Sequence, residues 1–123
     1  MKSILFLLGV FFIFNCNAQD TYDIVEKPPE FPGGEVAMQK FLANEIVYPK
    51  EAIENEIQGR VFVKFMVTKT GLIQDLKVLR GVSDLLDKEA KRAILAMPKW
   101  IPGEQNGKKV NVWYTLPVMF RLG

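Results

Sequence analysis

Hydrophobic and polar residues alternate along three segments of the chain, and this alternation predicts three β-strands. The first two, Arg60–Thr68 and Leu72–Arg80, are joined by a short connection that ends at Gly71, which predicts a hairpin. The third, Lys109–Leu122, carries Pro117 near its centre. Because proline has no backbone N–H, we expect this segment to be an edge strand with one row of backbone groups unpaired.

Apolar residues at helical spacing predict three helices. The first covers Glu35–Asn44, the second is short and has Pro49 at its first helical position, and the third runs from Ser83 or Asp84 to Met97. The order α-α-β-β-α-β and a right-handed crossover predict an α+β fold. Its expected core is a three-stranded antiparallel sheet in the order 2-1-3, with the helices packed on one face.

The N-terminal segment Met1–Ala18 has the features of a secretory signal peptide, because Lys2 precedes the apolar run Ile4–Phe14 and small residues end the segment. As a helix, that run would reach about 16 Å, whereas the hydrocarbon core of a bilayer is about 30 Å thick. We therefore predict cleavage before Gln19. A lipoprotein acylated at Cys16 and an uncleaved membrane anchor are the alternatives.

These patterns divide the chain into three predicted parts. Residues 1–18 form the signal peptide, residues 19–32 form an extended, proline-containing tether, and residues 33–123 form the folded domain.

The composition excludes several classes of function. With 16 basic and 14 acidic residues the formal net charge is +2, and no long basic run suggests nucleic-acid binding. The chain has no histidine, and its one cysteine lies in the leader, which excludes Cys–His pairs, Ser-His-Asp triads and ordinary zinc sites. Acidic pairs such as Asp84 and Asp87 are explained by a helix N-terminus. We predict no catalytic residue, metal, cofactor or small-molecule ligand.

Alternation also places apolar side chains on the sheet face that points away from the helices. Phe62, Met66 and Met119 are the candidate contact residues of this face, and Trp113 accompanies them. An apolar stripe on an open face is typical of a contact surface. The tether could instead fold over the stripe, and the sequence leaves both interpretations open.

Short motifs along the chain resemble the TonB C-terminal domain family. They are Pro29-Glu30-Phe31-Pro32-Gly33-Gly34, Gln58-Gly59-Arg60-Val61, Trp100 with Pro102-Gly103, and Tyr114-Thr115-Leu116-Pro117. The resemblance covers about Pro29–Leu122. It implies a non-enzymatic periplasmic domain that binds TonB-dependent outer-membrane receptors and supports transport across the outer membrane. In this family a receptor segment, the TonB box, is added as a strand beside the last strand of the domain.

Together, the resemblance and the alternation assign partner-strand binding to Asn111, Val112, Trp113, Tyr114 and Thr115. Pro117 interrupts the row of outward donors, so a guest strand should bond before it. Two alternatives remain. One is a membrane-anchored energy transducer with an uncleaved leader, and the other is a self-associating module that forms a homodimer through the same edge.

Overall fold

The computed structural model describes residues 21–123 and shows an α+β fold with five strands and three helices in this part of the chain. The predictions for the leader, including Cys16, lie outside the described residues. In chain order the elements are β1 (Thr21–Tyr22), α1 (Gly34–Glu45), α2 (Lys50–Glu54), β2 (Gly59–Val67), β3 (Ile73–Arg80), α3 (Asp84–Leu95), β4 (Gly103–Gln105) and β5 (Lys108–Phe120).

The sheet has the order β1-β5-β2-β3, and β4 pairs with the beginning of β5. β2 is antiparallel to both β3 and β5, whereas β1 is parallel to β5. The predicted three-stranded, all-antiparallel sheet in the order 2-1-3 is therefore not matched, because the sheet has five strands and is mixed; the three long strands β3, β2 and β5 are antiparallel neighbours within it. The two missed strands have two and three residues and lie in segments rich in proline, glycine and polar residues, where a period-2 pattern has no room to develop.

The core lies between the sheet and the helices. Alternate residues of β2 are fully buried, as are the inward residues of α3 and the second half of β5; these are Val61, Val63, Phe65, Val67, Leu86, Ala90, Ala93, Ile94, Leu116, Val118 and Phe120. The period of two in the strands and the helical spacing in α3 thus bury a single set of apolar side chains.

Local signals explain where the helices begin. Ser83 caps α3, because its hydroxyl oxygen accepts a hydrogen bond from the N–H of Leu86 at 3.3 Å. Pro49 is the N-cap of α2 and has extended geometry, so the predicted first helical position is wrong by one residue. A proline tolerates either position because the first N–H groups of a helix have no partner within it.

Gly71 fixes the end of the β2–β3 hairpin against the segment that precedes β4. Its φ is +86°, and its carbonyl accepts a hydrogen bond from the N–H of Trp100 at 2.9 Å. The indole of Trp100 is buried and packs edge-on against Phe31, Phe65 and Tyr114. One tryptophan therefore joins the tether, β2 and β5.

Within residues 21–123, no helix has both the length and the apolar character that crossing a membrane requires.

Candidate functional site

The inner edge of β5 pairs with β2 from Val112 to Phe120. Pro117 lies opposite Phe62, and Thr115 lies opposite Lys64. Because proline cannot donate, Pro117 fits a position whose backbone groups point away from β2. The alternation of an antiparallel ladder then points the backbone groups of Thr115 and Trp113 to the outer side as well.

The outer edge of β5 is closed at its first part. Asn111 pairs with Thr21 and Val112 pairs with Tyr22, so Val112 has a strand partner on each side. The prediction of an edge that is open all along the strand is therefore wrong at these two residues. Val110 lies before the ladder with β2 and pairs with Gly103 of β4.

The rest of the outer edge, Trp113–Phe120, has no strand partner among the described residues. A shallow groove runs beside its second half, between the strand and α1. The groove is lined by Gln39, Leu42, Ala43, Ile46, Pro117, Val118 and Met119. A backbone row with free hydrogen-bonding groups thus lies next to apolar side chains that a guest strand could contact.

The other outer edge of the sheet is less suited to a guest strand. β3 pairs with β2 through two register shifts, and Asp75 adopts a positive φ of 49° next to the second of them. Bulges and charged side chains such as Asp75 and Lys77 typically hinder the pairing of another strand with an exposed edge. The open part of β5 is therefore the better docking edge.

The segment Glu26–Phe31, here called the strap, is fixed to β4 and to the link that leads into it. Lys27 and Glu104 exchange two backbone hydrogen bonds of 3.1 and 2.8 Å, and Glu30 and Ile101 exchange two of 2.9 and 2.8 Å. A Cβ at Gly103 would lie only 3.0 Å from the carbonyl oxygen of Lys27, so the absence of a side chain permits this approach. The strap bounds the site at its N-terminal end.

The predicted contact face carries cations as well as apolar residues. Register places Trp113, Met66 and Gln74 in one row, Thr115, Lys64 and Lys77 in the next, and Pro117, Phe62 and Arg80 in a third; Met119 and Arg60 follow. The Lys64 ammonium lies 4.9 Å from the Trp113 ring, and the Arg80 guanidinium lies 5.9 Å from the Phe62 ring. These register positions hold four cations and no carboxylate.

The tether contacts this face at Thr21. The Thr21 hydroxyl lies 3.9 Å from the Met66 sulfur, while Phe62 and Met66 remain half-buried and Met119 is exposed. The described tether therefore pairs with β5 at Thr21 and Tyr22 and leaves Met119 exposed.

The five predicted binding residues divide between the two sides of the sheet. Trp113 and Thr115 belong to the open face, whereas Val112 is buried and Tyr114 packs 5.6 Å from Phe65 on the core side. Burial raises the pKa of the Tyr114 hydroxyl, and the carboxylate of Glu35 adds to the effect. Tyr114 is accordingly neutral at physiological pH.

Sequence reasoning missed two parts of the site, β1 and the α1 side of the groove. Thr21 and Tyr22 are residue types with high β-propensity, but a two-residue run gives no usable signal. Among residues 21–123 there is also no cluster of three or more acidic, histidine or cysteine residues that could hold a metal ion. The arrangement is an unpaired strand edge beside a groove lined largely by apolar residues.

Comparison with known proteins agrees with the family resemblance that the sequence motifs indicate. The family model of the Gram-negative bacterial TonB protein C-terminal domain matches residues 44–122. Protein TonB of Pseudomonas aeruginosa is 44% identical over 55 residues, which are 44% of this chain and 15% of that relative, so the chain spans only a small part of its length.

Two solution NMR structures of the Helicobacter pylori TonB C-terminal domain are similar in fold. They superpose with TM-scores of 0.55 and 0.56, both at 26% identity. The matches cover 70% and 72% of this chain and 90% and 79% of the two structures. The resemblance inferred from sequence motifs is confirmed, and because the family match extends over more than half of its length, the chain belongs to the TonB C-terminal domain family.

Proposed function

We propose that this chain is a periplasmic binding module that captures an extended segment of a TonB-dependent outer-membrane receptor by β-strand addition. The family is transport-related and non-enzymatic, which agrees with a role in TonB-dependent transport. The observation that carries the proposal is the unpaired outer edge of β5, Trp113–Phe120, beside the α1 groove. Export by cleavage of the predicted signal peptide would deliver the domain to the periplasm.

The guest strand would use backbone and side-chain contacts together. The outward groups of Trp113 and Thr115 bond to the guest, and Pro117 ends the row of donors. Guest side chains on the helix side reach Leu42 and Ile46 in the groove. Those on the other side lie near Trp113 and Lys64, which favours apolar and acidic residues in the guest.

A peptide panel tests this proposal. Synthetic peptides that cover the periplasmic N-terminal segments of the outer-membrane receptors encoded in the same genome are titrated against the protein by isothermal calorimetry. We expect at least one receptor peptide to bind, and scrambled peptides of the same composition to fail. Binding by none of the receptor segments would contradict the proposal.

The unpaired edge also supports a second candidate function, because two copies of the domain could pair through β5. Sedimentation velocity over a concentration series distinguishes the two functions. A tight dimer that receptor peptides do not dissociate would favour the self-associating module over the receptor-binding one.

A further inference from the structure

We propose that β1 is an internal competitor for the docking edge, so that the chain's own N-terminal strand regulates access of a guest strand to β5. This inference rests on the proposed function, because it describes regulation of the same edge. Thr21 and Tyr22 pair with Asn111 and Val112, the first two of the five residues predicted to bind a partner strand. A guest that extends along the full predicted site therefore has to displace β1.

β1 is weakly held compared with the strap that follows it. Its ladder has two residue pairs, Tyr22 is exposed, and the side chain of Thr21 contacts Met66 only at 3.9 Å. The strap, by contrast, is fixed by the two reciprocal pairs of backbone hydrogen bonds already described and by the buried ring of Phe31. Short, solvent-exposed ladders open at far lower cost than buried ones.

The residues between β1 and the strap are suited to act as a hinge. Asp23 is exposed, the side chain of Ile24 is 87% exposed, and residues 23–25 take part in no backbone hydrogen bond of the described structure outside helices and strands. β1 could therefore leave β5 while the strap and the core stay in place. Its departure would extend the free outer edge from Trp113 back to Asn111.

Competition of this kind has a quantitative consequence. The apparent affinity for a long guest equals its intrinsic affinity multiplied by the fraction of molecules in which β1 is displaced. A guest confined to the edge beyond Trp113 does not meet β1 and is unaffected. Weakening β1 should therefore strengthen the binding of long guests only.

A peptide copy of β1 tests the inference without any receptor. A fluorescent peptide with the sequence of residues 19–24, QDTYDI, is titrated against the wild-type chain, the Thr21→Pro/Tyr22→Pro variant and the Ile24→Pro control. The double variant loses both donors of β1, whereas the control places its proline in the hinge. We expect about tenfold tighter binding to the double variant than to the other two. Equal affinity for all three proteins would overturn the inference.

A reversible disulfide between β1 and β5 provides a second test that does not depend on the proline variant. In a Cys16→Ser background, Thr21→Cys/Asn111→Cys places two thiols at register partners, where a disulfide would hold β1 on β5. Oxidation should abolish binding of QDTYDI and of long receptor peptides, and reduction should restore it. Unchanged binding by the oxidised protein would overturn the inference.

The receptor peptides separate failure of this inference from failure of the proposed function. If QDTYDI binds the double variant preferentially but no receptor peptide binds any form, the internal competitor stands and the receptor function fails. If long receptor peptides bind the wild type and the double variant equally, the receptor function stands and the internal competitor fails.

Discussion

At the scale of single residues, Gly71 is the position where a side chain is least tolerable. Its φ of +86° lies in the left-handed region, and an added Cβ would overlap the backbone carbonyl of Trp100, which cannot move like a flexible side chain. The tight approach allows the hairpin to receive the hydrogen bond from the Trp100 N–H.

We therefore expect Gly71→Ala to lower the free energy of unfolding by about 3 kcal/mol or more, since left-handed strain and overpacking add. Gly107→Ala is the matched control. Gly107 has a similar φ of +77° but nothing within 4 Å of an added Cβ, so strain alone should cost about 1–2 kcal/mol. Urea denaturation measures both variants. Equal losses would mean that the Trp100 carbonyl does not restrict this site.

Pro117 shows how much of the pairing of β5 can be predicted from a single residue. A proline inside an alternating run predicts that one side of the strand has no ladder partner, and the structure has none on the outer side of Pro117 among the described residues. The same reasoning could not predict β1, because pairing at Asn111 depends on a segment about ninety residues away in sequence. The local sequence pattern predicts which strand can lie at an edge. Pairing with segments distant in sequence determines how many residues of that edge remain unpaired.

At the scale of elements, an ion-pair cluster connects α1 to α3. Arg92 donates to both carboxylate oxygens of Glu89 at 2.8 Å and to the Glu45 carboxylate at 2.8 Å. Glu89 also accepts a hydrogen bond from the N–H of Val47 at 2.7 Å, just beyond α1. Arg92 is exposed, so the contribution of the cluster is small, but it connects α3 to the end of α1, the helix that forms one wall of the groove.

This cluster makes stability depend on pH. The hydrogen bonds from Arg92 hold the pKa of Glu89 below its ordinary value of 4.5, although partial burial opposes them. The contribution is thus present above pH 4.5 and is lost as the pH falls through the lower folded value. Glu89→Gln should be less stable than the wild type at pH 7, and the difference should shrink toward pH 3. Thermal unfolding of both proteins across this range checks the trend.

Glu54→Gln is the control for this experiment, because Glu54 is exposed and makes no ion pair within the described chain. A constant difference between Glu89→Gln and the wild type from pH 7 to pH 3 would contradict the assigned role of the Glu89 charge.

Removal of one backbone donor, the N–H of Thr115, tests whether a guest strand uses the outer edge of β5. Thr115→Pro removes an outward N–H but no bond to β2, because Thr115 shares the orientation of Pro117. We expect receptor-peptide affinity to fall about tenfold or more, while the urea midpoint changes little. Thr115→Ala keeps the N–H and should bind like the wild type. Parallel loss of binding and folding, or unchanged binding by Thr115→Pro, would contradict the assignment.

At the scale of the whole molecule, the outer edges of β3 and β5 differ in how well they could accept a further strand. β3 is blunted by bulges and charges, whereas β5 is left open from Trp113 and covered only at its beginning by β1. The strap, Trp100 and the β2–β3 turn keep β5 in place at one end, and α1 lies beside it at the other. The fold thus leaves one long strand edge unpaired among the described residues, from Trp113 onward.

The sequence predicted the α+β class, three helices within a few residues, the hairpin, and an unpaired side of the last long strand, which the structure shows only from Trp113 onward. Periodicity is informative there because each element is long enough to bury a face, as Val61–Val67 and Leu86–Ile94 do. It could not predict β1, β4 or the groove. These depend on short backbone pairings and on the packing of α1 against β5, which leave no periodic signal.

NMR can locate a bound peptide on the sheet and so tests strand addition to β5 itself. Cross-strand nuclear Overhauser effects are measured between a receptor peptide and the isotopically labelled protein. Addition to β5 predicts backbone contacts from the peptide to Trp113, Tyr114 and Thr115, extending to Asn111 and Val112 as β1 is displaced. Contacts confined to the outer edge of β3, or to side chains of the open face alone, would contradict the account.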